Sequence, residues 1–296
     1  MENLRGAAFM TLSMLGFAIE DALIKTVAAR LPAGQIIALL GLAGALLFWA
    51  WLALRGQRLF VPAQLAPRVL MRTGCEALGT AFFVTSLTLI PLTLASAVIQ
   101  ATPLVVALGA ALFLGQPVGW RRWTAIGVGF AGVLLILRPG SAAFDPLVLL
   151  TVAGMLGLAG RDLLTRAMNS DITGPHLSIM AFLGLVPTGL LLVASQGQPL
   201  LLPTLPEAAL LSICVVIGMA AYLAIIAATR AGDAGVISLF RYARMVFALA
   251  IGWLIFHEQP DTHTLAGVAI VIAAGLYTLI REHRLRRASL RAAKPL

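Results

Sequence analysis

Met14-Leu15-Gly16-x-Ala18-x-x-Asp21-x-Leu23-x-Lys25 and Met155-Leu156-Gly157-x-Ala159-x-x-Asp162-x-Leu164-x-Arg166 are two copies of one pattern. Each lies in an apolar run long enough to cross a bilayer, so the duplicated unit is a set of membrane helices. A second match carries the repeat onward. Ala107-x-Gly109-x-x-x-Phe113-x-x-Gln116-Pro117 corresponds to Ala250-x-Gly252-x-x-x-Phe256-x-x-Gln259-Pro260, and Ala131-Gly132 to Ala274-Gly275. The two repeats are therefore expected at 1–140 and 141–296.

Composition agrees. Of 296 residues 60% are hydrophobic and 11% charged, against about 25% charged in soluble domains. This is an all-α polytopic membrane protein. The net charge of +9 does not point to nucleic acid, because the basic residues stand singly in short loops. They cluster only in the tail from about 282, which is expected to lie on the anionic inner leaflet. Cys75 and Cys214 fall inside apolar spans and read as small buried hydrophobes. The four histidines sit near span ends without metal-ligand spacing, and no nucleophile elbow or phosphate loop is present. No cofactor, metal or enzymatic activity is expected.

Hydropathy and turn residues predict ten spans, at about 4–29, 34–54, 69–89, 93–114, 120–137, 147–169, 174–195, 206–229, 235–256 and 263–281. Lys and Arg concentrate at the ends and in the even-numbered loops. The other side has little beyond Arg30 and Arg138. The bias puts both termini in the cytoplasm. With five spans per repeat, the second copy is then inverted relative to the first, the build of secondary transporters that hold substrate near the midplane.

The chain resembles the drug/metabolite transporter superfamily in its ten-helix EamA branch. The likeness rests on the two five-helix halves, the loop Leu114-Gly115-Gln116-Pro117, and the ending Val246-Phe247-Ala248 through Gly252-Trp253 to His257-Glu258. It departs where many relatives have Glu-Pro before Val-Phe and this chain has Arg244-Met245. Among relatives it resembles the bacterial aromatic amino acid exporters. The resemblance implies a bacterial inner-membrane carrier that exports amino acids or similar small metabolites by alternating access. A carrier of a nucleotide, vitamin or drug-like compound, or a passive channel, is the alternative.

Charges inside spans are costly and each needs a reason. Asp21 and Lys25 are four apart on one helix face, as are Asp162 and Arg166, with Glu20 and Arg161 beside them. They read as structural or gating ion pairs. Arg244 lies about 13 Å into span 9, and Arg241 about 9 Å. Glu76 in span 3 is at comparable depth and is expected to pair with one of them, leaving one cation for a substrate carboxylate. Ser96 and Gln100 share a face of span 4. Pro103 there removes a backbone hydrogen bond, so it is a candidate hinge or frees a carbonyl. Thr80, Phe83, Tyr222, Ser238 and Tyr242 complete the candidate substrate-binding set. Gly16 and Gly157 are expected to pack closely through the two-fold relation of the repeats. The glutamates and Asp21 have bases nearby, so exchange or uniport is expected rather than proton coupling. The expected partners are the bilayer and a small molecule with a carboxylate, and a monomer is the expected state.

Overall fold

The computed structural model describes residues 2–58, 60–115, 119–168, 172–231 and 237–292. Its helices are α1 (Glu2–Val27), α2 (Ala33–Leu54), α3 (Pro67–Leu89), α4 (Leu92–Ile99), α5 (Thr102–Phe113), α6 (Trp120–Leu137), α7 (Val148–Ala167), α8 (Gly174–Gln196), α9 (Leu205–Ala231), α10 (Ala243–Phe256) and α11 (Thr262–Ala292). Span 4 is thus two helices, α4 and α5. Span 9 enters α10 through a 3-10 segment, Ser238–Tyr242. Among the described residues nine stretches are long and apolar enough to cross a membrane. The remaining expected span is α3, 23 residues long, which carries Arg68, Arg72 and Glu76.

The chain forms two compact units, and each draws on both repeats. One unit holds Met1–Ile19, Ser96–Asp145 and Ile217–Leu296; the other holds Glu20–Ala95 and Pro146–Val216. The reason lies in which helices are smooth enough to approach one another. In the second unit, a Cβ built on Gly157 of α7 would lie 2.6 Å from the Cα of Gly79 in α3, and one on Gly154 would lie 2.9 Å from Phe83 N. Only glycine lets these backbones meet. Likewise Gly34, Gly41 and Gly44 of α2 accept α8. A Cβ on Gly41 would lie 2.8 Å from the Phe182 carbonyl, and the Phe182 ring stacks on Phe48 at 5.7 Å.

The first unit uses the same device at equivalent places. Gly132 of α6 and Gly267 of α11 face each other, a Cβ on the first lying 3.0 Å from the carbonyl of the second. Gly16 of α1 meets Ala221 of α9, where a Cβ would be 2.9 Å from the alanine methyl, and Ser13 donates to the Ala221 carbonyl at 2.7 Å. Gly16 thus meets Ala221 in the first unit as its repeat counterpart Gly157 meets Gly79 in the second. Met10, Met14, Ala228 and Ile237 form a buried cluster beside this contact.

Side chains pin the loops. Gln35 bonds both backbone groups of Leu201, accepting from its N–H at 2.9 Å and donating to its carbonyl. His176, buried at the start of α8, bonds Thr173 Oγ1 at 2.6 Å and the Arg58 carbonyl at 2.8 Å. Arg30 and Arg138, the exceptions to the charge bias, each find a carboxylate. Arg30 pairs with Glu207, which raises the pKa of its guanidinium. Arg138, left-handed at φ 48°, pairs with Asp261. The Arg138 guanidinium and Thr264 hold the Asp261 carboxyl well below the usual range.

Candidate functional site

In the first unit the two interrupted spans meet at their interruptions. Pro103, in the first turn of α5, has no N–H to give the Ile99 carbonyl four residues back. The expected freed carbonyl is not open, because the Thr102 hydroxyl donates to it at 2.5 Å. The break falls at Gln100-Ala101, where Ala101 N–H turns to Val98 O at 3.1 Å and Leu104 N–H to Ala101 O at 2.9 Å. From this break Gln100 Nε2 donates to the carbonyl of Tyr242, at 3.4 Å, at the end of the 3-10 segment of span 9. Two hydroxyls here are buried without a hydrogen-bond partner, Ser96 Oγ one turn before Gln100 and Tyr242 OH. Ser96 is fully buried, and Tyr242 is 5% exposed. The ring of Tyr242 needs Gly275, since any Cβ there would overlap its hydroxyl. An unmet buried hydroxyl costs about 1–3 kcal/mol, so one on each of the two interrupted spans needs an explanation beyond packing. Arg244, half-buried in the next turn, places its guanidinium 5.6 Å over the ring of Phe17.

The second unit holds the acids. Glu76 takes Arg72 from its own helix, with Nη1 2.7 Å from Oε2 at an angle that makes an ion pair but no hydrogen bond. It also takes Arg161 of α7, Nη1 to Oε1 at 3.0 Å. Arg161 turns its other side to Asp162 at 2.8 Å, and Arg72 Nε donates to Thr165 at 3.1 Å. Glu76, expected to pair with Arg241 or Arg244, has these two partners within its own unit, brought in by the glycine contact of α3 with α7. The expected Asp162–Arg166 pair is replaced. Arg161 lies between two carboxylates, while Arg166 is exposed. Lys25 caps the end of α3, donating to the carbonyls of Leu87 at 3.2 Å and Ile90 at 2.5 Å, where the helix dipole favours a cation. Asp21 is buried at 4% exposure.

A cavity of about 170 Å³ opens among α1, α2, α3 and α8 of this unit. Glu20, Glu76 and Thr80 supply its polar wall; Ile37, Phe182 and Leu185 are part of its apolar one. Phe83 is not among its lining residues and is buried at the α3–α7 contact instead. Tyr222 is half-buried on α9 and Arg241 is exposed. The side chain of Ser238 lies outside the described residues. Sequence reasoning missed Thr102, Arg72, Phe17 and Phe182. Of these only Arg72 carried a signal, a charge one turn from Glu76 on the same helix.

The family model for EamA-like transporters matches residues 4–138 and again residues 146–280. The chain belongs to the EamA-like transporter family. It is an integral membrane transporter, of the bacterial inner membrane, and not an enzyme. Its relatives carry small molecules. The EamA-like chain is 28% identical over 198 residues to an S-adenosylmethionine uptake transporter of Rickettsia bellii, covering 67% of each. It is 29% identical over 222 residues to a riboflavin transporter of Rhizobium johnstonii, covering 74% of this chain and 72% of that one. It is 28% identical over 276 residues to the pseudopaline exporter CntI of Pseudomonas aeruginosa, covering 91% and 94%. A chain of known crystal structure shares the fold with a TM-score of 0.66 at 19% identity, covering 95% of this chain and 98% of that one.

Proposed function

We propose that this EamA-like transporter exports amino acids, aromatic or otherwise neutral, or similar carboxylate-bearing metabolites by alternating access. The observation that carries the reading is the junction of the two interrupted spans, where Gln100 bonds the Tyr242 carbonyl and each span carries a buried hydroxyl without a hydrogen-bond partner, Ser96 and Tyr242. Such atoms are what a polar ligand satisfies. Arg244, one turn along, supplies the bidentate donor a carboxylate takes. The breaks at Gln100-Ala101 and at Ser238–Tyr242 occur in corresponding spans of the two repeats. Discontinuous helices at matched positions are where inverted-repeat carriers place their sites. Five spans per repeat and the basic loops support the inverted arrangement of this reading, with both termini in the cytoplasm. Pro103 is the hinge of span 4 in this reading.

The named cargo of one relative, S-adenosylmethionine, itself ends in an amino acid group and suits the same contact. A vitamin-like cargo is the second reading, favoured by the riboflavin transporter of Rhizobium johnstonii. Counterflow separates them. Proteoliposomes loaded with unlabelled amino acids should take up labelled aromatic or neutral amino acids, and Arg244→Ala should abolish that uptake. No counterflow with any amino acid, together with flux of riboflavin, would replace the first reading by the second.

A further inference from the structure

We infer that the connection between α2 and α3 binds the headgroup of an anionic phospholipid, with Arg55, Arg58 and Arg68 on its phosphate and Phe60 and Leu65 among its acyl chains. The inference is independent of what the transporter carries.

The connection is unbalanced in charge. From Trp51 to Cys75 the chain has four arginines and no Asp or Glu. Arg72 is buried and takes its carboxylate from Glu76. Arg55, Arg58 and Arg68 are exposed, and none of the three forms an ion pair among the described residues. A guanidinium has five N–H donors in a fork that matches a phosphate. Arg68 uses one of them, from Nη1 to the Ala167 carbonyl at 3.4 Å. The Arg55 guanidinium lies 4.4 Å from the centroid of the Trp51 ring, a contact that orients the group without consuming a donor.

The backbone that carries these arginines is fixed. Nε2 of His176 donates to the Arg58 carbonyl at 2.8 Å. Gln64, in a 3-10 turn at Pro62–Leu65, accepts from the Val61 N–H at 2.9 Å and donates to the His176 carbonyl at 3.4 Å. Both side chains are buried. Phe60 and Leu65 turn outward instead, 67% and 71% exposed. Large apolar groups beside cations suit neither water nor hydrocarbon alone. They suit the boundary where phosphates lie above acyl chains, which is also where tryptophans such as Trp51 collect.

The second repeat supplies a comparison. By order of helices its α8–α9 connection is the counterpart, and it too is pinned by a buried side chain, Gln35 on both backbone groups of Leu201. It also exposes apolar side chains, Leu200 and Leu202. Yet residues 197–204 contain no charge. The fold therefore does not require charge at this place, and the arginines give the first repeat's connection a chemistry its counterpart lacks. A zwitterionic headgroup brings a cation that they repel, so a headgroup of net negative charge is selected. A soluble acidic partner would leave Phe60 and Leu65 unused.

The test is quenching of Trp51 fluorescence in proteoliposomes of the full chain, with Trp49, Trp120, Trp123 and Trp253 replaced by Phe. Dibrominated phosphatidylglycerol is compared with dibrominated phosphatidylcholine. One basic residue near the surface favours an anionic lipid about fivefold, so phosphatidylglycerol should bind beside Trp51 at least about fivefold more tightly at low salt. The triple variant Arg55→Gln/Arg58→Gln/Arg68→Gln should bring the two lipids within about twofold of each other. Salt at about 0.5 M should do the same with the arginines in place. Leu202→Trp, in a chain whose Trp51 is also Phe, should favour neither lipid. Equal affinity beside Trp51, a preference that survives the triple variant or high salt, or the same preference reported by Leu202→Trp would overturn the inference. Displacement of phosphatidylglycerol by millimolar inorganic phosphate would overturn it too, assigning the arginines to a soluble phosphate. Should the triple variant fail to insert or fold, the salt result decides.

Discussion

Among the described residues, replacing Glu76 by Gln removes the one carboxylate that Arg72 pairs with and one of the two that Arg161 touches. The side chains of Arg72, Glu76 and Arg161 are 11%, 17% and 23% exposed. Screening by water is therefore limited. At an effective dielectric of about 20, contacts of 2.7 and 3.0 Å are each worth about 5–6 kcal/mol before desolvation. Desolvation of the ions cancels much of that, and breaking a buried pair from one side costs about 3–5 kcal/mol net, because a charge is left behind. Arg161 keeps Asp162, so the lower end applies. Glu76→Gln should cost about 3 kcal/mol in reversible unfolding in mixed detergent micelles. The double variant Arg72→Gln/Glu76→Gln should recover most of it, since no buried cation is then stranded. A loss below about 0.5 kcal/mol for Glu76→Gln, or strict additivity in the double variant, would refute the reasoning.

Four further outcomes follow from the same geometry. Gly157→Ala puts a methyl 2.6 Å from Gly79 Cα, and forcing α3 and α7 apart should lower stability by about 1–3 kcal/mol in the same assay; an unchanged unfolding curve would show that the helices part freely. Thr102→Val leaves the Ile99 carbonyl without its hydroxyl donor and should cost about 1–2 kcal/mol, whereas Pro103→Ala restores an N–H to that carbonyl and should stabilise span 4 while slowing counterflow. The Asp261 carboxyl lies below its unfolded value because of Arg138 and Thr264. Its contribution is therefore present above the ordinary carboxylate range near pH 4 and fades as pH falls toward the depressed folded value. Asp261→Asn should make acid unfolding less steep below pH 4, by less than about 1 kcal/mol because the pair is partly exposed; an unaltered acid limb would contradict the pairing.

The repeat and the spans were legible because both are properties of chain order: apolar length, and the same residues at the same offsets. Packing partners are not. Depth along a helix places Glu76 level with Arg241 and Arg244 but does not say which way its side chain turns. Gly79 and Gly157 bring α7 to α3 and so choose Arg161. Gly16 and Gly157 match in sequence, yet each has its own neighbour, because equivalent positions pack against equivalent helices and need not pack against each other. Pro103 announced the interruption of span 4, while its repair by Thr102 was hidden, since the hydroxyl acts only once the helix has broken. The interruption of span 9 carried no proline or glycine within Ser238–Tyr242 and so left no mark. Ser96, Gln100 and Tyr242 were readable as polar residues in apolar spans; that two of their hydroxyls are unmet was not.

The most direct test of the account is the accessibility of Ser96 from the two sides of the membrane. With Cys75 and Cys214, the chain's own cysteines, replaced by Ala, Ser96→Cys in oriented vesicles is exposed to a membrane-impermeant thiol reagent from one side and then from the other, with and without transported amino acid. Alternating access to a site at the break of span 4 predicts labelling from both sides and protection by the amino acid. Labelling from one side alone, unaffected by any substrate that shows counterflow, would contradict it.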